Sequence, residues 1–397
     1  MKVLINDYDH LGRGISRVDG KVIFVPKTVK GCSYDVDIVK DKKRYLVGEV
    51  KNDEKKYFCP YYNKCGGCQV GHLKEDEELT FKKEKVQNIL KKYAEVEVSD
   101  ILMISTKRYH YRNKVVFHIE KDKMGFYEEK TNKLIDIISC KLLDEVILSV
   151  GEKLREFIKD HQRLVKATIK SYDQKVMLIL EGGESDVLIK DYFTPFVDSL
   201  YYNNKLLSGL EALTVNILDK EFVVRKDSFF QVNKVGVIAI YSEVIKIVKE
   251  LKSRILYDLY CGTGTMGILV SPYVFKVKGI EVVPDAIKDA KFNALKNNVS
   301  NISFYLGDAF EVFSKFDEVP DTVIVDPPRS GLNSKMVECL LDKEIANIIY
   351  VSCDPLTLSR DIKLLSNKYS VSKLLLVDEF PNTYHVECVT LLKRKNL

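Results

Sequence analysis

The run IIYVSCDPLTLSRD (348–361) places a cysteine, Cys353, where an apolar strand ends and the backbone breaks before a helix. In open α/β sheets the carboxyl ends of strands are where ligands bind. Taken alone, Cys353 reads as a small buried hydrophobe, since free cysteine is among the most buried residue types. Its company changes that reading. The preceding strand, in DTVIVDPPRSGL (321–332), delivers Asp326-Pro327-Pro328-Arg329. Two prolines stiffen this loop and withdraw two N–H donors, which aims the Asp326 carboxylate and nearby carbonyls at a pocket. Further on, VDEFPNTYHVECVTLL (377–392) places Glu387 where a loop enters an apolar strand, an unusual position for a solvated charge. His385 is a second candidate for proton transfer. The rigid Asp-Pro-Pro loop and the cysteine, joined by a cofactor acid at the same sheet edge, mark a reactive cleft, with Glu387 as its candidate base.

A cofactor signal lies upstream. RILYDLYCGTGTMGILV (254–270) reads as strand, glycine turn and helix, with a literal G-x-G-x-x-G over 262–267. Glycines let the backbone approach a ligand, and Glu281, ending the next strand, has the spacing of a ribose acceptor. These features leave NAD and S-adenosylmethionine open. Asp258, before the glycines, suits the cationic end of S-adenosylmethionine and would repel a pyrophosphate. Asp308 ends a third strand, within reach of an adenine amino group. The series Asp258, Glu281, Asp308 resembles class I methyltransferases.

Methyl transfer needs a nucleophilic cysteine when the acceptor is nearly inert, as carbon 5 of uracil is. A thiolate adding to carbon 6 turns the ring into an enolate, carbon 5 attacks the sulfonium methyl, and a base removes the carbon 5 proton so that the cysteine leaves.

The elements that must position these groups follow from pattern. From about residue 235, helix and strand alternate, which predicts a doubly wound sheet over 226–397. Residues 1–54 alternate in β fashion with turns at Val18-Asp19-Gly20 and Lys30-Gly31, predicting a small barrel. Residues 55–225 read as a β-rich central domain. A charged helix over 73–98, apolar at Leu79, Val86, Ile89 and Leu90, is expected to pack on the catalytic domain. In CPYYNKCGGC, Cys59, Cys65 and Cys68 are spaced to act with Cys140 as four thiolate ligands, for zinc or for an iron–sulfur cluster. STKRYHYRNKVVFH (105–118) interleaves basic residues with Tyr109 and Tyr111, a composition suited to phosphates and stacked bases.

SFFQVN (228–233), DLYCGTGTMG (258–267), DPPRSGL (326–332), VSCDP (351–355) and PNTYHVE (381–387) together resemble the RNA uracil-5-methyltransferase family. The resemblance implies Cys353 as nucleophile and Glu387 as base. It places Gln231, Tyr260, Thr265, Glu281, Asp308 and Asp326 around S-adenosylmethionine and uracil; Tyr260 and Thr265 stand where relatives often carry Phe and Asn. Cys59, Cys65, Cys68 and Cys140 correspond to ligands of a [4Fe–4S] cluster, and residues 1–54 are similar to a TRAM domain, an RNA-binding addition. That combination points to 23S ribosomal RNA. Rival readings are the same chemistry on the transfer-RNA T-loop, a non-catalytic RNA-binding iron–sulfur protein, and an NAD enzyme.

With 397 residues, two or three domains are expected. No apolar run is long enough to span a membrane. MKVLINDYDH lacks a signal-peptide core, so a cytoplasmic, monomeric enzyme is expected, and nine cysteines are then poor candidates for disulfides. A net charge of +5 permits a nucleic-acid partner without demanding one.

Overall fold

The computed structural model describes residues 1–51, 57–128, 131–228 and 230–395. The end of the expected 1–54 barrel, the start of the cysteine-rich stretch, Phe229 of SFFQVN and the last two residues lie outside these ranges.

The catalytic sheet has eight strands in the order Ile302–Leu306, Lys276–Glu281, Ile255–Leu259, Thr322–Val325, Asn347–Ser352, Glu387–Arg394, Tyr369–Val377 and Leu102–Ile104. The first five are parallel to one another. Ile255–Leu259, Thr322–Val325 and Asn347–Ser352 are largely apolar and buried along their length, as strands covered on both faces are. Chain order reverses beside Ile255–Leu259, where successive strands leave in opposite directions; such a switch point opens a crevice at the strand carboxyl ends. Glu387–Arg394 is antiparallel to both its neighbours. Its beginning therefore lies at the edge where the parallel strands end.

The last strand of this sheet, Leu102–Ile104, comes from the first half of the chain and pairs parallel to Tyr369–Val377. Val86, Leu90, Ala94 and Ile101 are buried in one core with Tyr257, Leu358, Ile362 and Leu376. The helix that brings them runs Glu75–Ile89 and ends in a wider turn, Leu90–Ala94, shorter than the expected 73–98. Its buried face is also not purely apolar: Glu78 and Lys82 are fully buried beside Phe81 and Val86.

The N-terminal sheet has six strands, with a core of Val3, Ile5, Ile23, Val25, Val36 and Leu46. It meets the helix through Tyr8 against Phe81, with ring centroids 5.4 Å apart, and through a Lys30–Glu84 ion pair. Between the helix Glu75–Ile89 and the parallel strands in sequence, a seven-stranded sheet spans Lys114 to Gly209 with one strand at Leu134–Asp136 on its edge, backed by the helices Glu145–Asp160 and Asp186–Phe193. No helix among the described residues is long and apolar enough to cross a membrane.

Candidate active site

The register of the last strands brings the reactive groups together. Ser352 pairs with Cys388, so Cys353, one step beyond the ladder, faces Glu387. Val377 pairs with Glu387 on the other side. Cys353 then begins a tight turn in which Asp354 caps the helix Pro355–Leu365 by accepting N–H bonds from Leu356 and Thr357. The Asp326 loop leaves the neighbouring strand and is closed by Asp361, whose Oδ2 accepts the Leu332 N–H at 2.8 Å and the Tyr350 hydroxyl at 2.7 Å.

Burial governs the electrostatics. The Cys353 thiol is pushed up to about 11, first by burial, then by the carboxylates of Glu387 and Asp326, while Arg329 opposes the rise. Its surroundings therefore do not lower its pKa, contrary to what a standing thiolate would need. Glu387 is pushed up to about 8 by burial and by Asp326, again opposed by Arg329. Asp326 is open to the cleft and walled by protein elsewhere, and that enclosure moves it to about 7. His385 is driven down to about 4 by burial and by the cations Arg329, Lys85 and Lys82, which leaves it a weaker base than Glu387. Glu379 is fully buried with neither carboxyl oxygen hydrogen-bonded, which favours its neutral form.

The glycine turn forms a cradle. Tyr260, Gly262 and Gly264 are left-handed, at φ of 70°, 54° and 76°. A side chain on Gly262 would meet nothing within 4 Å, whereas one on Gly264 would come 2.7 Å from the Phe304 ring. Glu281 braces the turn: one oxygen accepts the Gly262 N–H at 3.1 Å, the other the N–H groups of Val282 and Val283. Asp258 is buried and accepts the Gly267 N–H at 2.9 Å, so it fixes the first turn of the following helix as well as facing the pocket end of the strand. Thr265 is buried against Thr263, with hydroxyls 3.2 Å apart. Asp308 is exposed and caps the helix Ala309–Phe313. Gln231 is half-buried, and its carbonyl accepts from Asn113. An open backbone cradle, a carboxylate at the second strand end and a buried acid before the glycines fit an adenosyl sulfonium.

The chain matches the family model described as tRNA (uracil-5-)-methyltransferase over residues 209–395, and the TRAM domain model over residues 1–51. An uncharacterized RNA methyltransferase of Clostridium acetobutylicum is 32% identical, the match covering 99% of this chain and 96% of that one. One from Halalkalibacterium halodurans is 31% identical over 100% and 97%. The chain belongs to the RNA uracil-5-methyltransferase family. Among solved structures, the Pyrococcus abyssi tRNA (uracil-54, C5)-methyltransferase in complex with S-adenosylhomocysteine has a TM-score of 0.79 at 28% identity, covering 99% of this chain and 100% of its own. As a uracil-5-methyltransferase the chain uses S-adenosylmethionine as methyl donor and RNA as substrate, and its 1–51 module is a TRAM domain.

One expectation finds no support here and a second needs correction. Cys59, Cys65, Cys68 and Cys140 are free thiols within electrostatic reach of one another, and burial pushes Cys65, Cys68 and Cys140 up. The donor types suit a [4Fe–4S] cluster, but among the described residues no group of three or more His, Cys, Asp or Glu is arranged to hold a metal. The cluster is therefore not supported by this geometry. The basic run 105–118 is also only partly a free RNA surface. Tyr111 is buried, its hydroxyl on the Pro381 carbonyl, and Arg108 is spent on Glu78 and the Leu73 carbonyl. Lys107 and Arg112 remain exposed.

Sequence reasoning missed Arg329 as the cation of the site, Asp361 as the anchor of the Asp326 loop, and Lys82 with Glu78 beneath the Glu387 loop. The (i,i+4) spacing of Glu78 and Lys82 was visible, but such pairs usually lie on solvated helix faces.

Proposed function

We propose that this chain methylates carbon 5 of a uridine in 23S ribosomal RNA through a covalent adduct between Cys353 and carbon 6. The observation that carries the chemistry is the register setting Cys353 opposite Glu387 with Asp326 beside both. Cys353 loses its proton to water and adds as the thiolate to carbon 6, and the 5,6 double-bond pair moves onto the uracil 4-oxygen. Carbon 5 takes the electrophilic methyl that the bound sulfonium donor would supply, the S–CH3 bond breaking with its electron pair left on sulfur as S-adenosylhomocysteine. Glu387 removes the carbon 5 proton, the pair returns to form the 5,6 double bond, and Cys353 leaves as thiolate. Arg329 stabilises the charges on Cys353 and Glu387 as they form. In this reading Gln231, Tyr260, Thr265, Glu281, Asp308 and Asp326 line the cofactor and uracil sites. The TRAM module beside the catalytic half supports an RNA substrate.

A second reading, the transfer-RNA T-loop, is favoured by the end-to-end likeness to the Pyrococcus abyssi tRNA enzyme. Mass-spectrometric mapping of 5-methyluridine in ribosomal and transfer RNA from cells with and without this protein separates the two. Loss confined to 23S RNA supports the first reading; loss confined to transfer RNA overturns it in favour of the second.

A further inference from the structure

The segment from Asp378 to Val386 joins two strands and ends at Glu387, so its shape sets where that carboxyl points. Within it, the Thr383 N–H and hydroxyl donate to the Phe380 carbonyl at 3.2 and 2.7 Å and the His385 N–H donates to the Thr383 hydroxyl at 3.2 Å, which shapes one turn. Where the loop sits is set by donors from elsewhere that take up its backbone carbonyls. Thr106 donates to the Asp378 carbonyl at 2.6 Å, Asn233 to Glu379 at 2.8 Å, Tyr111 to Pro381 at 3.1 Å and Val70 to Asn382 at 3.1 Å. Two lysines one turn apart on the helix Glu75–Ile89 complete the set. Lys82 Nζ reaches the Phe380 carbonyl at 3.2 Å, and Lys85 Nζ reaches Tyr384 at 2.8 Å.

Lys82 is the centre of this arrangement. It is fully buried and bridges Glu78 at 2.7 Å to Asp378 at 2.6 Å. Glu78 in turn accepts the Asn382 N–H at 2.7 Å and pairs with Arg108 at 2.8 Å. Asn382 sits at φ 70°, a conformation that a non-glycine residue keeps only when its surroundings impose it. Two cations and two carboxylates thus balance, with all but the partly exposed Arg108 shut away from water. Burying charges costs more than apolar packing, so such a set adds little stability and is best explained by the single geometry it enforces.

We propose that Lys82 and Lys85 are positioning residues for Glu387: they hold the 378–386 loop so that its carboxyl faces the adduct. This inference rests on the reading of Glu387 as the base. It predicts a split between two halves of the reaction. Addition of Cys353 and methyl transfer depend on the strand end and the cofactor cradle, which the lysines do not touch. Removal of the carbon 5 proton depends on the loop.

The test is single-turnover reaction of the full chain with substrate RNA and S-adenosylmethionine, followed by denaturing gels. Formation and decay of an RNase-sensitive protein–RNA band are timed separately, with S-adenosylhomocysteine affinity as a control. The variants are Lys85→Met, Lys82→Met and the double variant Lys82→Met/Asp378→Asn, which leaves Glu78 and Arg108 as a balanced pair should the single Lys82 change prevent folding. Lys85, only half-buried, leaves the ion set intact and gives a variant with little demand on folding. The expected result is adduct formation within about threefold of normal and decay slowed at least tenfold, with cofactor affinity unchanged. Formation and decay slowed equally, or decay unchanged in Lys85→Met, would overturn the positioning role. If Glu387→Gln stalls as an adduct while the lysine variants decay normally, only this inference fails. If Glu387→Gln itself turns over normally, the base assignment beneath it fails.

Discussion

Cys353 and Glu387 are both neutral over much of the physiological range, because the protein packed around them penalises their charged forms. At pH 7 about a tenth of Glu387 is ionised if its pKa is about 8. Resolution of the adduct is therefore expected to quicken with pH through about 8 and then level off. Glu387→Gln should lose that dependence and accumulate an adduct already carrying the methyl group. The double variant with Cys353→Ala should give no adduct, and Cys353→Ala alone should abolish methylation while keeping S-adenosylhomocysteine affinity within about threefold. Methylation by Cys353→Ala above a tenth of the normal rate would remove the nucleophile role. Stalling in His385→Gln with normal turnover in Glu387→Gln would move the base to His385. Arg329 belongs at the same scale. Removing its charge should slow adduct formation most at low pH, where its opposition to the rise at Cys353 and Glu387 matters most, and a rate independent of that charge would deny it the role.

At the scale of elements, the two left-handed glycines of the cofactor turn make different demands. Gly264 packs on Phe304 and Ala290, so an added methyl must displace a ring and a helix as well as strain the backbone. Gly264→Ala is expected to cost roughly 2–4 kcal/mol of stability and to weaken S-adenosylhomocysteine binding with it. Gly262 faces open space, and Gly262→Ala carries only the strain of its φ, about 1 kcal/mol. It should keep the fold yet lose cofactor affinity at least tenfold, since its methyl stands where the cradle meets the ligand. Melting curves and binding titrations on the two variants check this; equal affinity losses with equal destabilisation would mean that the open side of Gly262 is not where the cofactor lies.

Across the whole molecule, the catalytic sheet concentrates carboxyls whose pKa is raised: Asp258 and Asp326 to about 7 and Glu387 to about 8. In the unfolded chain these groups titrate near 4. Between those limits the folded state holds more protons than the unfolded one, so stability is full below about pH 4 on this account and is lost as pH rises through 7 to 8. Asp326, open to the cleft, contributes less than the buried pair. The melting temperature should be lower at pH 8.5 than at pH 6, and Glu387→Gln and Asp258→Asn should each flatten the slope. A melting temperature that rises over this range, or an unaltered slope in both variants, would show that the acids are not held neutral by the fold.

The sequence by itself determined the parts of the site that are local. A strand, a glycine turn and a helix follow one another within 254–270, and Asp326 and Cys353 each end an apolar run at a proline-marked break, so spacing and turn chemistry are enough to place them at one sheet edge. The β-barrel at the N-terminus was legible for the same reason, through short alternating strands and turn residues. What only the tertiary structure decided depends on residues far apart in the chain. The antiparallel insertion of Glu387–Arg394 beside Asn347–Ser352 puts the base opposite the nucleophile, and no local pattern states which strands pair. The Glu78–Lys82 pair is an ordinary surface motif in one dimension; it becomes a buried clamp because the strand Leu102–Ile104 joins the catalytic sheet and draws the preceding helix onto the 378–386 loop. The charge state of the site is likewise not written in residue types, since a carboxyl at about 8 and a carboxyl at 4 differ only in how much protein surrounds them.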